Sequence, residues 1–284
     1  MGTNKLFNKV SELAKKALVD EVKATPKPGL VDACNSGAHT DMSIDTFLRS
    51  AEALGPYFKK IARLGYDNAG KNEKDVFLMA RSLGVDAERE MYRATGGINT
   101  HKGMIFSMGL VCLATGKLLA EEKKISLDDI CLLVARYTEG LCESDYSQKK
   151  DANSLTNGER LYKASGVLGA RGEAEAGFPT IRNVSYPVMK KYYESGMEHN
   201  LVMVRTLLYM MGVLDDTNVL KRSGESGATY VKKKSKELIN APLDEIKKFD
   251  DELIKMNISP GGCADLLAVT RFIYLLESEN EKLK

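Results

Sequence analysis

Apolar residues recur at intervals of three and four along almost the whole chain, so helices must carry the fold. No period-two run longer than about four residues recurs, and strands have little to be built from. Ser43 is placed to cap a helix carrying Phe47, Leu48, Ala51, Leu54 and Phe58 on one face. Residues 75–93 repeat the pattern with Val76, Met79, Ala80, Leu83, Ala87 and Met91. Residues 104–122 are apolar nearly all round at first, which predicts a central buried helix. Ser126 with Asp129 resembles a capping box that opens a helix running to Gly140. Further helical runs cover 157–168, 186–214, 226–239, 243–256 and 263–277. The stretches 66–73 and 143–156 read as flexible loops from their Asn, Asp, Gly and Ser content. No repeat or linker divides the chain, which predicts a single all-α domain over residues 1–284.

Composition narrows the partners. A formal charge of +2 leaves no electrostatic footprint for nucleic acid, and Lys232, Lys233 and Lys234 read as a solvated helix face. Lys5, Lys9, Lys15 and Lys16 interrupt the apolar residues at the N-terminus, unlike a signal peptide. Residues 104–115 read as too short and too polar for a membrane span. The five cysteines are scattered without a Cys-x-x-Cys pair, which argues against disulfides and structural zinc and for the cytoplasm.

The chemistry lies in four glycine-bearing polar stretches between the helical runs. The first joins Lys27-Pro-Gly-Leu-Val-Asp32 to Asn35-Ser-Gly-Ala-His39-Thr-Asp41. Gly29 opens a turn that the prolines stiffen, and Lys27 projects a cation suited to phosphate; a plain surface turn is the competing reading. His39 and Asp41 suit an acid–base or metal pair, against a histidine that merely caps the next helix. The second stretch, Gly96-Gly-Ile-Asn99-Thr-His101-Lys102-Gly103, offers backbone donors at a helix N-terminus with a cation beside them. It lacks the Walker spacing, and Gly96 and Gly97 also suit an interhelix turn.

In the third stretch, Arg171-Gly-Glu173 offers a guanidinium with a carboxylate to orient it or to act as base. A surface ion pair is the bland alternative. In the fourth, Gly261 and Gly262 open the last helix with Asp265 in its first turn. Asp216 and Asn218, with Arg222 one turn beyond, end a buried apolar run. Glu88, Asp216 and Asp265 are the carboxylates placed to hold magnesium, an ion that shares its shell with water and substrate phosphates. A solvated Glu88 and a polar helix exit at Asp216 explain the same residues without a metal.

Taken together and in order, these motifs resemble one family. Lys27-Pro-Gly-Leu-Val-Asp32, Asn35-Ser-Gly-Ala-His39-x-Asp-Met42, Asn99-Thr-His-Lys-Gly103, Arg171-Gly-Glu-Ala174, Gly177-Phe-Pro179, Asp216-Thr-Asn218, Arg222 and Ser259-Pro-Gly-Gly262 through Ala268 are similar to triphosphoribosyl-dephospho-CoA synthases. The resemblance spans residues 27–268. It implies an all-helical transferase that uses ATP and 3′-dephospho-CoA and releases adenine, with magnesium on the triphosphate. The product would be the prosthetic-group precursor for citrate lyase or malonate decarboxylase, passed on to a holo-acyl-carrier-protein-forming transferase. Lys27, Lys102, Arg171 and Arg222 would then hold phosphates, and His39, Asp41 and Glu173 would move protons. A magnesium-dependent nucleotide N-glycosidic hydrolase and a non-catalytic helical nucleotide sensor are the competing functions.

Overall fold

A computed structural model of the chain describes residues 2–147, 155, 157–280 and 283. Every regular element among them is helical. In chain order these are α1 (Thr3–Lys23), α2 (Ile44–Asp67), α3 (Glu73–Thr95), α4 (Lys102–Ala120), α5 (Leu127–Tyr137), α6 (Leu141–Tyr146) and α7 (Asn157–Ser165). There follow α8 (Gly169–Glu175), a π-helical turn (Ile181–Ser185), α9 (Tyr186–Glu194), α10 (His199–Met211), α11 (Thr217–Leu238), α12 (Leu243–Lys255) and α13 (Gly261–Ser278).

The centre is α4, buried almost all round as its composition requires, with α2, α3, α5 and α13 packed on it. Its approach to α2 is set by missing side chains. A Cβ on Gly65 would lie 2.1 Å from the Leu113 carbonyl, and one on Gly116 would lie 1.9 Å from the Ala62 carbonyl. Backbones this close bring Leu54, Phe58, Met108 and Leu113 into one continuous core, where truncating a leucine to alanine costs about 2–5 kcal/mol. By length and composition α4 could cross a membrane, so reading this segment as too short was incorrect; most of it is buried inside the bundle.

Two caps follow the sequence closely. Ser43 Oγ accepts from the Thr46 N–H, and Ser126 Oγ accepts from the Asp129 N–H while donating to its carboxylate. Elsewhere the expectations need correction. The run 186–214 is two helices, because Gly196 at φ +75° turns the chain between α9 and α10. The helix expected from residue 226 begins at Thr217, where Asp216 caps it, and breaks its regular geometry at Gly224. Helix α1, absent from the sequence reading, buries Phe7, Val10, Ala14, Leu18 and Glu21 along one face. Of the expected loop 143–156, the first residues belong to α6, and residues 148–154 and 156 lie outside the described residues.

Candidate active site

The N-termini of α4, α11 and α13 open on one cavity of about 820 Å³, and the loop between α1 and α2 closes its side. Unpaired N–H groups at helix starts make this end of the bundle electropositive. The wall includes Lys27, His39, Asp41, Asn99, His101, Lys102, Arg171, Glu173, Asp216, Asn218, Arg222, Gly261, Gly262 and Asp265. Residues from all four polar stretches therefore face the same space. The third is no loop, since Gly169–Glu175 is helical.

Lys27 is at the cavity floor, but its charge is already engaged. Its Nζ contacts the Glu21 carboxylate of α1, and both side chains are buried. Burial raises the Glu21 pKa, with Lys27 pulling it back. The loop that delivers Lys27 is braced by Asp32, which accepts from the backbone of Lys27, Cys34 and Asn35 and from Thr25 Oγ1.

His101 lies beside this pair. Thr100 Oγ1 donates to Ser50 Oγ at 2.8 Å, leaving the Ser50 hydrogen for His101 Nδ1 at 2.7 Å. The ring proton then belongs on Nε2, which is buried without a partner among the described residues. Burial, and next the Lys27 charge, push the His101 pKa down to about 3, so the ring is neutral. It is a donor waiting for an acceptor.

His39 stands at the rim. Its Nδ1 is 3.5 Å from an Arg222 nitrogen that can only donate, and its Nε2 is 3.0 Å from Ser259 Oγ. Asp41, expected to orient the ring, is 3.8 Å away and largely exposed, so Ser259 and Arg222 do the holding instead. Burial and then Arg222 lower the His39 pKa, while Asp41 raises it. Arg222 also ties the Ala38 carbonyl to Asn257.

Arg171 donates from Nε to Asp145, which also takes two bonds from Arg81. Glu173 does not orient Arg171 as expected: Thr180 Oγ1 and the Thr180 N–H hold its two oxygens. Burial raises the Glu173 pKa against those bonds.

The carboxylates proposed for metal divide. Asp216 accepts from the backbone of Asn218 and Val219 and, across the cleft, from Cys263, so it stitches the starts of α11 and α13. Asp265 presses on α4: a Cβ at Gly103 would lie 2.0 Å from its Oδ2. Burial, Glu21 and Asp216 all push the Asp265 pKa well up, and no cation pairs with it among the described residues. Glu88 instead binds Lys102 at 2.8 Å and faces a second cavity. No group of three potential metal ligands converges among the described residues. Of the three carboxylates, only Asp216 and Asp265 line the first cavity.

Four expected binding residues are absent from the cavity wall. Gly29, at φ +73°, lets the loop pack on α12: a Cβ there would lie 2.2 Å from the Ile258 carbonyl. Asn35 bonds Asp250 of the same helix. Gly96 and Gly97 close the end of α3, with Gly96 in the left-handed region and the Gly97 N–H on the Tyr92 carbonyl. Glu21 and Lys221 join the wall without having been singled out from sequence.

Against this geometry, the family model for CitG, ATP:dephospho-CoA triphosphoribosyl transferase, matches residues 7–283. The chain belongs to this family. Its relatives include the 2-(5″-triphosphoribosyl)-3′-dephosphocoenzyme-A synthase of Escherichia fergusonii, 39% identical over 93% of this chain and 89% of that protein. The synthase of the same name from Klebsiella pneumoniae shows the same identity and coverage. The crystal structure of a candidate triphosphoribosyl-dephospho-CoA synthase from Archaeoglobus fulgidus shares the fold, with a TM-score of 0.50 at 17% identity. It covers 81% of this chain and 98% of that one.

Proposed function

We propose that this chain transfers the triphosphoribosyl group of ATP to the 2′-hydroxyl of 3′-dephospho-CoA, with release of adenine. The observation that carries the reading is the single cavity lined by residues of all four polar stretches. The acceptor 2′-oxygen bonds to C1′ of the ATP ribose as the bond from C1′ to adenine breaks. The hydroxyl proton passes to a base, and adenine takes up a proton as it leaves. An oxocarbenium-like transition state and a single displacement, with inversion at C1′, follow from that exchange.

His39 is the base in this reading. Its lowered pKa keeps the ring neutral near pH 7, and Asp41 is close enough to favour the imidazolium that forms. Glu173 is the group from which adenine draws its proton, since burial favours its protonated form. The Nε2–H of His101 binds the nucleotide. Lys102, Arg171 and Arg222 hold the triphosphate, which stays intact, so their work is orientation rather than phosphate cleavage. Lys27 acts through its pair with Glu21, shaping the floor. Asp265, with Asp216 behind it, would hold magnesium, whose charge would fix the triphosphate in one geometry.

The product, on the same reading, is the prosthetic-group precursor for citrate lyase or malonate decarboxylase, handed to a holo-acyl-carrier-protein-forming transferase in the cytoplasm. Nucleic acid and membranes have no part in it. The test is incubation with ATP, magnesium and 3′-dephospho-CoA, following adenine and the acceptor mass. Adenine formed only with acceptor, and an acceptor heavier by triphosphoribose, is the expected result. Adenine formed without acceptor would mean an N-glycosidic hydrolase, and ATP binding without adenine would mean a sensor.

A further inference from the structure

A second cavity of about 320 Å³ adjoins the first, and its wall is of a different chemistry. Tyr57, Phe77, Phe106, Ile105, Leu110 and Leu113 are among its lining residues. The size is that of a small-molecule site, about 300–1,000 Å³. Lys102, Gly103, Ala170 and Arg171 line both cavities, so the two share a wall. The apolar chamber's charged residues are paired among themselves, Lys102 with Glu88 and both Arg81 and Arg171 with Asp145, which leaves it without a free cation among the described residues.

The acceptor named above has two halves that match this division. Its nucleotide half carries the reacting 2′-hydroxyl and a pyrophosphate; its pantetheine arm is uncharged, long and largely aliphatic. ATP has no such arm, so an apolar chamber beside the polar site is surplus to ATP. We propose that the second cavity takes the pantetheine arm of 3′-dephospho-CoA. The proposal rests on the triphosphoribosyl-transfer reading. It assigns acceptor selection to α3 and α4, the helices that supply Phe77, Gly84, Val85, Ile105, Phe106, Leu110 and Leu113.

Gly84 offers the test. It lines the chamber, and a Cβ there would meet Tyr57 Oη at 3.9 Å and Ile105 Cγ2 at 4.0 Å, ordinary contacts. A longer side chain built on that Cβ can extend into the chamber. Gly84→Leu should raise KM for 3′-dephospho-CoA about tenfold or more, with KM for ATP unchanged. Gly84→Ala should raise it less, which separates bulk from helix propensity. Val85→Phe, at a half-exposed position on the rim, repeats the block from a site that tolerates substitution. Calorimetric titration with 3′-dephospho-CoA should show the same order, with weaker binding in Gly84→Leu and Val85→Phe than in Gly84→Ala. Unchanged acceptor KM in both Gly84→Leu and Val85→Phe would overturn the proposal, as would an equal rise in KM for ATP. Failure of the transfer reading looks different: wild-type protein then forms no triphosphoribosylated acceptor at all.

Discussion

The Nζ of Lys27 touches the Glu21 carboxylate, and both side chains are withdrawn from water at the floor of the candidate active site. A buried pair resists removal of one member because the other is left charged without a partner, at a cost of about 3–5 kcal/mol. Lys27→Met should therefore lower the melting temperature sharply. Burial raises the Glu21 pKa, and Lys27 pulls it back. Such a group contributes stability below its unfolded pKa and loses it as pH rises through the folded one. Taking away Lys27 lifts the folded value further, so the loss in Lys27→Met should deepen as pH rises above the ordinary carboxyl value. Melts of Glu21→Gln/Lys27→Met should recover much of it. A pH-independent loss that the double variant shares would refute this account.

Gly29 belongs to the fold rather than to phosphate. Its positive φ and the Ile258 carbonyl 2.2 Å from a built Cβ leave alanine no room. Gly29→Ala should cost about 1–3 kcal/mol of stability, or more where the loop cannot shift. The KM for ATP, measured below the melting transition, should stay near wild type. A selective rise in that KM would return Gly29 to the binding site.

Much of the site was written locally. Helix starts marked by glycine beside Lys102, Gly261 or Gly262 are legible because an N-terminus and its neighbours lie within one turn. Partners remote in sequence are not: Asp250 and Ile258, which explain Asn35 and Gly29, lie more than two hundred residues downstream. The same distance hid Ser259 behind His39, and Asp145 lies 26 residues from Arg171, beyond the reach of local pattern. Glu21 could have been found. It continues the buried stripe of Ala14, Ala17 and Leu18, and an acid on an apolar stripe must be paired or protonated. Helix α8 was misread because Gly169 and Gly172 suggest a loop; local composition could not reveal the packing of α8 on α5 and α6.

Lys102 and Arg171 are both expected to bind phosphate, but they start from different pairings. Lys102 must leave Glu88 or share it, while Arg171 is fixed by Asp145 and keeps donors toward the cavity. Alanine at either site should weaken ATP binding by about 1.5–3 kcal/mol, the worth of a charged hydrogen bond. Calorimetric dissociation constants equal to wild type in both variants would remove them from the triphosphate site.

His39 should set the acidic limb of the pH profile. Its pKa lies below the ordinary value of 6.5, so kcat/KM should fall only at pH below that value. Arg222 opposes protonation, so Arg222→Gln should move the limb to higher pH. His39→Ala should lower turnover by about 10²–10⁴-fold while ATP still binds. Asp41→Asn should do far less, because the carboxylate is exposed and 3.8 Å from the ring. Near-normal turnover in His39→Ala would pass the base role to Glu173.

Asp265 faces the cavity with Glu21 and Asp216 near it and no cation paired with it among the described residues, an arrangement that favours either a proton or a metal. Its raised pKa means that, without metal, stability is present at low pH and lost as pH rises through the folded value. Asp265→Asn removes that loss, so the metal-free variant should melt higher than wild type near pH 7. Magnesium binds only the folded site and should raise the wild-type melting temperature, but barely change that of Asp265→Asn. The magnesium needed for half-maximal activity should rise about tenfold or more in the variant, as expected when a charged contact is lost. Equal stabilisation of both proteins by magnesium, or full wild-type activity in EDTA, would remove Asp265 from any metal site and leave its carboxyl protonated in the working enzyme.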